Sequence, residues 1–88
     1  MTDPLVDYRE QITAVDLGLL EAVNRRLELV RRLHEYKAGE GLPLRDPARE
    51  EALVRELQQH NAGPLSDDGV ATLFRQVLDL TRTELHGA

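Results

Sequence analysis

The chain has no cysteine and no tryptophan, and one phenylalanine and two tyrosines are its only aromatic side chains in 88 residues. Without cysteine there can be no disulfide, no thiolate nucleophile and no cysteine-based metal site. No run approaches the roughly 20 apolar residues a bilayer span requires, so no membrane segment is expected. The opening Met1-Thr2-Asp3-Pro4 is acidic and lacks the basic-then-apolar order of a secretory leader, which makes the cytoplasm the expected compartment. A basic surface is missing as well. The 11 Lys and Arg stand against 16 Asp and Glu, a formal net charge of -5, which argues against nucleic acid as a partner. His34 and His60 have no metal-ligand spacing and read as surface residues. There is no Ser-His-Asp arrangement and no phosphate loop, so neither a metal nor a cofactor is expected.

What is present is 41% hydrophobic and comes mainly from Leu, Val, Ala and Ile, a composition that suits helices packed on helices. A chain this short forms one domain, 1–88, near the size at which burial becomes marginal, so a core shared with a second copy is expected. The basic residues are mostly Arg, whose planar fork grips both oxygens of a carboxylate. An acidic protein with arginines on an apolar stripe is a candidate for binding a small anion.

The spacing predicts three helices and no strand. The first runs from about residue 5 to 40, with Leu5, Ile12, Leu19 and Leu33 in one heptad row and Val15, Ala22 or Val23, and Leu29 or Val30 beside it. Asp3-Pro4 caps its start, and Gly39-Glu40-Gly41-Leu42-Pro43 stops it. At ~1.5 Å per residue this helix is on the order of 50 Å long, more than so small a globule can bury alone. Asp46-Pro47 opens a second helix over about 47–60, and His60-Asn61-Ala62-Gly63-Pro64 ends it. The third spans about 66–86, with Val70, Leu73, Phe74, Val77, Leu78, Thr81 and Leu85 on one face. The expected fold is all-α, with a long, a short and a medium helix in an intertwined homodimer.

The heptad row has a gap, and Arg26 occupies it. A guanidinium in an apolar seam must be paired or exposed, because burying an unpaired charge is costly. Lys37 lies three turns further on and roughly 20° around the helix, so two cations point the same way. On spacing alone, pairing of Arg26 with a glutamate and a solvated helix end at Lys37 are the stronger explanation. In helix two, Asp46, Arg49, Glu50, Leu53 and Leu57 share a face; Asp46 suits a cap, and Arg49 with Glu50 could form an internal ion pair. Arg9 is roughly 260° around and ~25 Å along from Arg26, so within one chain it cannot join the same site. In an antiparallel dimer of long helices it could reach the partner's site. Arg31-Arg32 reads as a solvated face.

Over nearly its whole length the sequence resembles the all-helical chorismate mutases. The resemblance is carried by Tyr8-Arg9-Glu10-Gln11-Ile12 with Asp16, Asn24-Arg25-Arg26-Leu27-Glu28-Leu29-Val30, Tyr36-Lys37 and Gly41-Leu42-Pro43. It continues through Arg45-Asp46-Pro47-Ala48-Arg49-Glu50, Gly63-Pro64-Leu65 and Leu73-Phe74. It implies a homodimer that converts chorismate, a dicarboxylate, to prephenate without a cofactor. It also implies that Arg26 and Arg49, with Arg9 from the partner chain, hold carboxylates, and that Lys37 bonds a carboxylate and the ether oxygen. Glu50 and the backbone at Asp46 would receive the ring hydroxyl, and Thr81 stands where a small hydroxyl residue often lies near a carboxylate.

One position departs from the pattern. The family usually has Gln or Glu eleven residues after the Phe of helix three, as a donor to the ether oxygen, and here that residue is Leu85. Losing one such donor typically costs ~3 kcal/mol, about a hundredfold or more in rate. Weak activity, a register that brings in Glu84 or His86, or completion by a partner would each account for it. Some short members of the family are activated by the synthase that opens the shikimate pathway, and the tail His86-Gly87-Ala88 is compatible with that. Isochorismate pyruvate lyase and aminodeoxychorismate mutase share the scaffold and remain alternatives, as does a non-catalytic helical dimerisation or regulatory module.

Overall fold

The computed structural model describes residues 3–86, and side chains through Leu85. They form α1 (Pro4–Gly39), α2 (Pro47–His60) and α3 (Asp67–His86), in the order and relative lengths that the periodicity predicts. Each start is set by local chemistry. The Leu5 N–H donates to Asp3 Oδ1 at 3.0 Å, with Pro4 in the first turn. The Arg49 N–H donates to Asp46 Oδ1 at 3.0 Å, with Pro47 in the same role, and the Gly69 N–H donates to Ser66 Oγ at 3.0 Å.

The end of α1 is a Schellman turn. Leu42 N–H donates to Lys37 O at 2.8 Å and Gly41 N–H to Ala38 O at 3.3 Å, with Gly41 at φ 68°, a conformation that glycine adopts without strain. This turn directs the chain across the end of α1 into α2. At the other break, Asn61 accepts from the Gly63 N–H at 3.0 Å and its Nδ2 donates to Leu65 O at 2.6 Å. Gln58 Nε2 donates to Asp67 O at 3.0 Å, which fixes the start of α3 beside the end of α2.

α3 packs against both other helices. Its buried arc is centred on Val70, Ala71, Phe74, Leu78 and Thr81, with Val54 of α2 buried opposite. Leu73, placed on that arc by the sequence pattern, is instead 41% exposed, because it lies roughly 100° from the arc's centre. On the outer side of α1, Arg31 bridges Glu28 and Glu35, and Arg32 also reaches Glu28. The hydrogen bond from Arg31 holds the Glu28 carboxyl below its ordinary value, but so exposed a network contributes little to stability.

No residue of α1 is fully buried. Leu5, Ile12, Val15, Leu19, Leu20 and Leu33 are all exposed, Val15 at 70%. The chain measures 61 × 25 × 21 Å with a radius of gyration of 16.7 Å, where a compact chain of this length would have about 12 Å. Its accessible surface is 7041 Å², against about 5,200 Å² for a compact monomer of this size. Much of the exposed apolar surface lies on the long helix, where Leu5, Val6, Ile12, Val15, Leu17, Leu19 and Leu20 are uncovered.

The Ser66 cap gives a direct check on how α3 begins. Ser66→Ala should lower stability by about 1 kcal/mol in urea denaturation while helical content stays unchanged. No change in the midpoint would show that α3 starts without that hydrogen bond.

Candidate active site

Three helix segments converge at one end of the bundle. From α1, Arg26, Val30, Leu33, His34 and Lys37 fall within an arc of roughly 100°. From α2 and the turn before it come Leu44, Arg45, Asp46, Arg49, Glu50 and Leu53, and from α3 come Leu78, Thr81 and Arg82. They line a cavity of about 370 Å³ whose surface is mostly apolar, with charged side chains contributed by all three segments. That volume suits a small organic molecule.

Arg26 leaves α1 half-buried, and its Nη1 donates to Thr81 Oγ1 at 2.9 Å. The Thr81 hydroxyl donates in turn to Val77 O at 2.7 Å, so this buried residue acts as a fixed acceptor. The partner of Arg26 is therefore a neutral hydroxyl and not a glutamate, and among the described residues no carboxylate pairs with it. Lys37 is half-buried rather than a free helix end, and its Nζ donates to Leu44 O at 3.3 Å. Arg49 is exposed at the cavity edge, with no carboxylate partner among the described residues. The carboxylate of Asp46 is occupied by its cap, which also fixes where the first turn of α2 sends Arg49 and Glu50.

Glu50 pairs with Arg82 and not with Arg49. Arg82 Nη1 lies 3.1 Å from Glu50 Oε1 and 3.2 Å from Oε2, and Nη2 bonds Asp79 one turn earlier. The hydrogen bond that Arg82 donates to Asp79, with the charge of Glu50 adding to it, holds the Arg82 guanidinium above its ordinary value against a loss from burial. The cavity is thus lined by five full cations (Arg26, Lys37, Arg45, Arg49 and Arg82) and two carboxylates, a surplus of three positive charges in a chain of net charge -5. Such a surplus, with apolar walls, is built for a small anion with more than one acidic group.

Six residues singled out from the sequence meet at this cavity: Arg26, Lys37, Asp46, Arg49, Glu50 and Thr81. Two do not. Arg9 lies far along α1 beside a separate hollow formed by Val6, Glu10, Thr13, Ala14 and Leu17. Leu85 is half-buried and, like Glu84, is not part of the cavity wall, so α3 is not shifted to bring Glu84 in; the His86 side chain and residues 87–88 lie outside the described residues. Arg82 and His34 also line the cavity, the first not singled out by spacing and the second expected at the surface. His34 lines the cavity because its position, roughly 80° from Arg26, falls inside the lining arc. For Arg82 the available signals were its place next to Thr81 and its spacing from Asp79. Among the described residues, no group of three or more His, Asp or Glu side chains is arranged to hold a metal ion.

This arrangement defines a helical protein with a cationic pocket whose charge suits a small polyanion, built on a long helix largely uncovered by its own chain. The family model of chorismate mutase type II matches residues 8–84, and the chain belongs to that family. A bifunctional chorismate mutase/prephenate dehydratase of Neisseria gonorrhoeae is 39% identical over 74 residues, 84% of this chain and 20% of that protein. A 4-amino-4-deoxychorismate mutase of Streptomyces pristinaespiralis is 32% identical over 77 residues, 88% of this chain and 57% of that protein. The chain therefore spans about a fifth of the first relative and little more than half of the second. Among solved structures, a chorismate mutase from Thermus thermophilus superposes with a TM-score of 0.86 at 26% identity, covering 90% of each chain.

The Arg26–Thr81 bond ties α1 to α3 across the cavity. Thr81→Val keeps the volume and removes the hydroxyl, and should cost about 1–3 kcal/mol in urea denaturation. An unchanged midpoint would mean that this bond does not hold the two helices together.

Proposed function

We propose that the chain is a chorismate mutase, converting chorismate to prephenate as a homodimer in the cytoplasm. The observation that carries this reading is the three-charge cationic surplus at an apolar-walled cavity, made by Arg26, Lys37, Arg45, Arg49 and Arg82 in an otherwise acidic chain. Chorismate carries two carboxylates, an enolpyruvyl ether and a ring hydroxyl, which match cations, Lys37 and Glu50 respectively. Family membership and the Thermus superposition favour the mutase over the lyase and over a non-catalytic module.

The rearrangement is unimolecular and needs no nucleophile or base. Arg26 and Arg49 hold the carboxylates so that the flexible ether folds into the reactive chair, which removes orientational freedom before the barrier is reached. The ether C–O bond breaks as the new C–C bond forms, and negative charge grows on the ether oxygen. Lys37, already fixed by Leu44 O, is placed to stabilise that charge without reorganising. With Leu85 outside the cavity wall, Lys37 is the main donor to this oxygen, and a modest rate is expected.

The dimer supplies what the single chain lacks. The uncovered face of α1 and the excess accessible surface, about 1,800 Å² per chain, match the area buried in obligate dimers. Antiparallel pairing of two such helices carries Arg9 toward the partner's cavity, where it adds a further cation. Activation by the synthase that opens the shikimate pathway is compatible with this reading as a further layer.

Lys37→Ala should lower chorismate turnover, followed as loss of ultraviolet absorbance, by at least about a hundredfold with helical content unchanged. Near-normal turnover would remove Lys37 from the reacting centre.

A further inference from the structure

The cavity holds a contradiction that its charge count exposes. A site for a dianion gains from every cation and loses from every carboxylate, yet Glu50 stands in its wall. Asp46 is exposed and caps α2 through Oδ1, so Glu50 is the acidic side chain sheltered within the cavity wall. Its cost is offset by Arg82, whose Nη1 reaches both Glu50 oxygens while Nη2 is held by Asp79. The two side chains are about equally sheltered, at 33% and 26% exposure. They also form the shared wall between the main cavity and a neighbouring hollow of about 240 Å³. Asp79 is 72% exposed and screened by water, so on the cavity side Glu50 and Arg82 present a ligand with an acceptor of little net charge.

We infer that Arg82 is a specificity-determining residue, clamping Glu50 into a neutral acceptor that takes a ring hydroxyl and disfavours a ring ammonium. The inference rests on the reading of the cavity as a chorismate site, with the ring substituent at Glu50. A carboxylate has about four lone-pair positions, so two bonds from Arg82 still leave room for one hydroxyl proton. A ring amine is protonated at neutral pH and gains from a bare carboxylate. Beside a carboxylate already paired it meets the guanidinium of Arg82 as a like charge, which is the repulsive element that discrimination requires. Lysine would keep the charge but not the two-oxygen reach. A leucine would leave Glu50 unneutralised, to repel the dianion and attract the amine.

The test compares kcat/KM for chorismate and for 4-amino-4-deoxychorismate in the wild type, Arg82→Leu and Arg82→Lys. The wild type should prefer chorismate; Arg82→Leu should shift the ratio toward the amino substrate by about tenfold or more, and Arg82→Lys should retain most of the preference. A ratio unchanged in Arg82→Leu, with both values falling together, overturns the inference and leaves Arg82 a structural residue. Should Arg82→Leu fail to fold, Arg82→Gln is read against the same two outcomes. Absence of turnover of either substrate by the wild type is a separate result, which removes the mutase reading and this inference with it.

Discussion

The structure depends on a helix too long for its own chain. α1 runs 36 residues, on the order of 54 Å, while α2 and α3 together supply 34 residues that pack mostly on each other and on its C-terminal half. Its N-terminal half therefore presents Leu5, Ile12, Val15 and Leu19 with nothing from the same chain to cover them. The hydrophobic effect makes such a face costly in water, and a second copy of the same helix is the simplest cover. In the proposed dimer the same contact also serves the site. Arg9 sits on the uncovered half, remote from its own cavity, and pairing would bring it to the other one. Covering the face and completing the charge cluster are then a single event.

Within the cavity, the physical theme is uncompensated positive charge held by neutral partners. Arg26 is steadied by a hydroxyl and Lys37 by a backbone carbonyl, so neither charge is neutralised among the described residues. Preorganised cations of this kind act on a ligand's charge with little reorganisation. Glu50 shows the opposite arrangement, a charge neutralised by Arg82 so that it can act as an acceptor among cations. In the proposed reaction, the difference between these two treatments of charge separates groups that would hold an anion from one that would read a hydroxyl.

Much of this was legible in the sequence because it is local. Asp3-Pro4, Asp46-Pro47 and the glycines at 39 and 41 mark helix ends by chemistry that acts within a few residues. Arg26 stood out because the heptad row makes an interruption visible, and Lys37 followed from the same periodicity. What escaped needed information across the fold. Arg82 meets Glu50 across 32 positions of chain, a pairing that no spacing rule on α3 reveals. His34 lines the cavity at the margin of the α1 arc, where periodicity no longer separates wall from surface. Leu73 shows the reverse error, an apolar residue assigned to the core that lies past the edge of the buried arc.

The central claim is that two chains share each site, with Arg9 crossing from one to the other, and mixed dimers test it most directly. Arg9→Ala and Lys37→Ala proteins, each nearly inactive alone, would be unfolded together and refolded as a mixture. If Arg9 acts in the partner's site, half of the dimers carry one intact site, and the mixture should recover about a quarter of wild-type turnover. If Arg9 acts only within its own chain, or the protein is a monomer, every site carries a defect and the mixture stays as inactive as its components.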